Sequence, residues 1–92
     1  MNSLEIAYDN AIVDLALREP SPYEKTHAGY IITRGEVQLG AKLFVNGKRA
    51  DLDEKGRFRE RIEIRMGDNE ISYHTVATDG IDRFYVRHVL RR

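Results

Sequence analysis

The sequence predicts an all-β protein, an antiparallel β-sandwich or small barrel of about seven short strands. Three observations carry this. Residues 57–66 alternate strictly between charged and largely apolar positions. Turn-forming residues recur about every ten positions from Gly29 onward, as expected for a sandwich. The runs between them are rich in Ile, Val, Tyr, Phe and Thr, which suit a pleated surface. A chain of 92 residues supports one core of this kind and not two.

The first residues admit two patterns. Leu4, Tyr8, Ala11, Ile12 and Leu15 would line one side of a helix, with Ser3 as its N-cap. Val13, Leu15 and Leu17 instead alternate like a strand that ends before Glu19-Pro20. The strand is preferred because the downstream strands need partners. Residues 11–92 are therefore expected to form the sandwich domain, with residues 1–10 an N-terminal linker or an extra strand. Ser21-Pro22-Tyr23-Glu24-Lys25-Thr26-His27 reads as a loop.

Tyr30-Ile31-Ile32-Thr33-Arg34 is the next strand, bounded by Gly29 and Gly35. Lys42-Leu43-Phe44-Val45 follows, then Asn46-Gly47, whose residues tolerate the positive φ of a type I′ turn, and Lys48-Arg49-Ala50 returns. Asp53-Glu54-Lys55-Gly56 is a second turn. In the strand from Arg57 to Met66, Phe58, Glu60, Ile62, Ile64 and Met66 share one face. Arg57, Arg59, Arg61, Glu63 and Arg65 share the other, and a helix would scatter them. Gly67-Asp68-Asn69 turns the chain. Ile71, Tyr73, Thr75 and Ala77 then point inward on the next strand, which Asp79-Gly80 closes as a hairpin. On the last strand Phe84, Val86 and Leu90 are expected inward, against Arg83, Tyr85, Arg87 and Arg91 outward.

Residues 31–90 resemble the bacterial immunoglobulin-like domains of the glucodextranase B-domain type. Gly35 and Gly40-Ala41-Lys42-Leu43-Phe44-Val45-Asn46-Gly47 are similar to that family's glycine, Gly-Ala and Val-Asn-Gly strand and hairpin. Asp53 with Gly56-Arg57-Phe58, then Gly67-Asp68-Asn69-Glu70-Ile71, then Ala77-Thr78-Asp79-Gly80 follow in the family's order. The stretch from Asn69 to Ala77 is longer than in the family, and Gly80 follows Asp79 directly. The resemblance implies an immunoglobulin-like sandwich. It also implies a module strung in series on a cell-surface or secreted bacterial protein, as a spacer, stalk or accessory binding domain.

Charge and motif content narrow the chemistry. Lys+Arg and Asp+Glu each number 15, so the formal net charge is zero, without the basic excess of a nucleic-acid module. There is no cysteine, hence no disulfide and no thiolate metal site. No apolar run reaches the ~20 residues of a membrane span, and Met1-Asn2-Ser3-Leu4-Glu5 has no basic n-region of a signal peptide. The chain is therefore expected either to stay inside the cell or to be a segment of a longer exported protein. His27, His74 and His88 lack ligand spacing, and no serine sits in a nucleophile frame. Asp51, Asp53, Glu54 and Gly56 faintly resemble a calcium loop, but Lys55 and Ile62 stand where ligands would be needed. No enzyme, cofactor or metal is expected, and the expected partners are neighbouring domains or other proteins.

The remaining surface candidates are cationic. Arg57, Arg59, Arg61 and Arg65 form a stripe that would bind a polyanion or polysaccharide, or be neutralised by cross-strand carboxylates; the zero net charge favours neutralisation. Arg83, Tyr85 and Arg87 form a second candidate, an aromatic-cationic patch that would stack a sugar ring. The sequence thus favours a non-catalytic structural or interaction module over a carbohydrate- or polyanion-binding accessory module.

Overall fold

The computed structural model describes residues 15–92. The linker-or-strand reading of residues 1–10 lies outside them. Eight strands run in order: β1 Leu15–Glu19, β2 Tyr23–Thr26, β3 Tyr30–Val37, β4 Lys42–Val45, β5 Lys48–Arg49, β6 Arg57–Glu63, β7 Gly67–Val76 and β8 Asp82–Arg91. They form two sheets, β1-β3-β6 and β2-β8-β7-β4-β5, packed as a β-sandwich. All pairings are antiparallel except β2 with β8, which is parallel over Tyr23↔His88 to Thr26↔Arg91.

The interior is built from alternate residues of both sheets. Leu15, Ile31, Val37, Phe58 and Ile64 come from the smaller layer, and Leu43, Val45, Ile71, Tyr73 and Val89 from the larger. One polar chain crosses between the layers. The Tyr73 hydroxyl lies 2.7 Å from Thr33 Oγ1, and Thr33 donates to the Glu19 carbonyl at 2.9 Å. With Thr33 donating onward, Tyr73 is the donor to Thr33. Burial pushes the Tyr73 phenol above its ordinary pKa, which keeps that proton in place.

The turns follow their residue types. Asn46 and Gly47 have φ of 52° and 81°, the type I′ pair between β4 and β5. Asn46 also exchanges bonds with Ser72, its amide donating to Ser72 O and its Oδ1 accepting from Ser72 N, each at 2.9 Å. Gly67-Asp68-Asn69 is not the turn expected but the start of β7, paired with Arg91, Leu90 and Val89; from inside the strand Asn69 caps the connection before it, accepting from Arg65 N at 2.9 Å and donating to Arg65 O at 2.8 Å.

Four further expectations need correction. Tyr23–Thr26 is a strand, not part of a loop; its partner β8 lies more than sixty residues away in sequence, and edge strands tolerate polar residues. Gly35 does not bound β3 but lies inside it, where the β1 backbone passes close by. β6 stops at Glu63, so Met66 is exposed rather than inward. The largest difference is β8, whose two faces are exchanged. Tyr85 packs against the core and Val89 is fully buried, whereas Phe84, Val86 and Leu90 are exposed.

The loop explains the exchange. A two-residue Asp79-Gly80 turn would set Thr75 opposite Phe84 and Tyr73 opposite Val86. Instead Gly80 N donates to Ala77 O, Ala77 N donates to Ile81 O, and Gly80 takes φ 85°. This five-residue, bulged connection sets Tyr73 opposite Tyr85 and Ser72 opposite Val86. A shift of one residue in register turns every side chain of a strand to the other face.

Candidate functional site

The arginine stripe lies on the outer face of the smaller sheet. Arg57, Arg59 and Arg61 are all exposed on β6. Register puts Arg57 opposite Glu36, Arg59 opposite Arg34 and Arg61 opposite Ile32. Arg65 is not part of the stripe, because it follows the end of β6 and sits in the turn that Asn69 caps. Glu60, on the core-facing side, is half-buried opposite Thr33.

Carboxylates from neighbouring segments answer most of these cations. Arg57 meets Asp53 at 2.9 Å, Arg61 meets Glu63 at 3.1 Å, Arg34 meets Glu19 at 2.9 Å and Arg18 meets Glu36 at 2.9 Å. The Arg61 guanidinium also lies 4.0 Å from the centroid of the Tyr30 ring. Each such exposed pair contributes about 0–1 kcal/mol, so their main effect is on the field of the surface. Arg59 is the member with no carboxylate within ion-pair distance among the described residues. A shallow hollow of about 190 Å³ lies beside it, lined by Arg18, Arg34, Glu36, Arg57 and Phe58.

The loop that faintly resembled a calcium site has spent its main ligand. Asp53 Oδ1 accepts from the amides of Lys55 and Arg57, both at 2.8 Å, and Oδ2 takes the Arg57 guanidinium. No group of three metal-binding side chains converges among the described residues. The Arg57 amide bond is the leading reason that the Asp53 carboxyl titrates below its ordinary value of 3.8. A depressed carboxylate adds stability above the unfolded-state pKa and loses it as pH falls through the folded one, so this loop should loosen only below about pH 4. A carboxyl-detected NMR titration should place the Asp53 midpoint below 3.8. A midpoint at or above that value would contradict these bonds.

Arg83, Tyr85 and Arg87 do not form the outward patch expected of them. They lie on the core-facing side of β8, with Tyr85 in register with fully buried Tyr73 and Arg87 with Ile71. The same change of register exposes side chains that the alternation had hidden. Tyr23 stacks on His88 at 5.5 Å and 9°, and Phe84 on His74 at 4.3 Å and 15°. His74 in turn stacks on Phe44 at 5.5 Å. Both histidines meet carboxylates, His74 Nε2 at 3.3 Å from Asp82 and His88 Nδ1 at 3.5 Å from Asp68. A cleft of about 210 Å³ lies beside Tyr23, His88 and Leu90.

No helix among the described residues is long and apolar enough to cross a membrane. No known family model matches the chain, and no curated protein is found to be similar to it.

Proposed function

We propose that this sandwich is an immunoglobulin-like, non-catalytic structural and interaction module of a larger cell-surface or secreted bacterial protein. The strand order supports the type. Taking β1, β3 and β6 as strands A, B and E, and β4, β7 and β8 as C, F and G, reproduces the immunoglobulin division between sheets. The role rests above all on the neutralised outer face of the smaller sheet. There, guanidiniums spaced to grip a polyanion are bonded to carboxylates of the chain itself. The molecule is also elongated, with extents of 43 × 27 × 20 Å, a shape suited to spacing its neighbours apart.

One observation favours a second reading, a polyanion-binding accessory module. Arg59, which meets no carboxylate among the described residues, faces Arg34 across β3 and β6 beside the hollow, so an added anion would answer the guanidinium of the stripe that Glu19, Asp53 and Glu63 leave unpaired. Electrophoresis through gels containing heparin or polyphosphate, at low and high salt, separates the two. The structural module should migrate unretarded at both. Retardation at low salt that disappears in Arg59→Glu would transfer the assignment to the binding module.

A further inference from the structure

The outer face of the five-stranded sheet carries Tyr23, Phe84, Val86 and Leu90, exposed by 79%, 71%, 44% and 37%. An apolar run of this kind on a rigid sheet marks a contact surface. Its aromatic rings are already held by stacking on His74 and His88, so little ordering would be lost on contact.

The charges at its two ends are self-complementary, and Glu70, also exposed on this face, is level with His88. Val86 and its partner Ser72 mark the middle of the face. At one end Lys42 on β4 and Asp82 on β8 are both level with Val76. At the other end Lys25 on β2 and Asp68 on β7 are both level with Leu90. Each end lies four residues from Val86 along β8. A half-turn about an axis running across the strands at Val86 therefore exchanges the two ends. It sets Lys42 against the second copy's Asp68, and Lys25 against its Asp82, each about one strand spacing (~4.8 Å) from directly opposite. Val86 meets Val86, and Phe84 comes opposite His88. β2 begins level with His88, so it does not flank Phe84, and the second copy's Tyr23 falls on that side.

β7 and β8, ten residues each, with the four-residue β4 and β2 beside them, present a face of roughly 450 Å², about half the ~800 Å² per partner of a standard interface and of the size of a weak, concentration-dependent contact. We propose that this face is the contact surface of a symmetric, face-to-face homodimer. The inference deepens the reading of the chain as an interaction module by naming a second copy as its partner. Two sheets joined this way bury matching patches through one two-fold axis and leave no open contact to propagate.

Sedimentation velocity of the full chain over a wide concentration range tests it, with circular dichroism confirming that each variant is folded. The wild type should pass from one chain to two as concentration rises. Val86→Arg should stay single throughout, because the symmetry places two cations together. Lys42→Glu should weaken the dimer about tenfold or more, and Lys42→Glu combined with Asp68→Lys should recover most of that loss, since the rescued pair meets across the interface. A wild type that remains single, a dimer indifferent to Val86→Arg, or a double variant no better than Lys42→Glu would overturn the homodimer. A monomeric wild type would leave the wider module reading intact, which falls only if the chain binds polyanion through Arg59.

Discussion

Replacing Phe58 with alanine is expected to lower the unfolding free energy by about 3–5 kcal/mol, measured by urea denaturation. The ring is 4% exposed and belongs to the cluster that joins the two layers. It faces Gly35 across the strand pair, and that position has no side chain with which to fill the space left behind. The cost therefore combines lost burial with a cavity that cannot collapse. A change within about half a kcal/mol would mean that the inward face of β6 is wrongly identified.

Gly35→Ala should be comparably severe, about 3 kcal/mol, for the opposite reason. A Cβ there would lie 2.2 Å from the Ala16 carbonyl oxygen, an atom of the β1 backbone, so relief requires β1 to move away from β3. Gly47→Ala is the control. That position has φ 81° but nothing within 4 Å, so only the left-handed backbone is penalised, by about 1–2 kcal/mol. Thermal melts of the two variants should differ clearly. Equal melting temperatures would show that β1 does not press on Gly35.

The middle of the fold was legible because its signals are local. The alternation from Arg57 to Glu63, the Asn46-Gly47 turn and the inward set Ile71, Tyr73, Thr75 and Ala77 depend on neighbours a few residues away, and these stand in the structure as read. The faces of β8 were not legible. That strand carries apolar residues on both sides, Phe84, Val86 and Leu90 against Tyr85 and Val89, so composition alone cannot choose its phase. The choice was made at Gly80, by a bulge that a two-residue aspartate–glycine turn does not anticipate. Strand β2 escaped for a different reason, since a parallel partner distant in sequence leaves no hairpin mark.

The candidate site divided along the same line. That arginines 57, 59 and 61 share a surface could be read from their spacing. That carboxylates would neutralise that surface was also expected, and Asp53 and Glu63 lie close in sequence to their arginines; that Glu19 and Glu36 would answer Arg34 and Arg18 could not be read, because those pairs depend on which strands become neighbours. The aromatic face of the larger sheet was hidden outright by the phase of β8.

The parallel pairing of β2 with β8 has a mechanical corollary. The chain enters this pair from the β1 side and leaves it toward Arg92, so tension applied along the polypeptide pulls the two strands lengthwise in opposite senses. Sliding them apart strains the bonds from Tyr23 to Thr26 together, whereas peeling would break them one after another. A sandwich fastened in this way meets a pull along its chain by shear across the whole β2–β8 pair rather than by unzipping it.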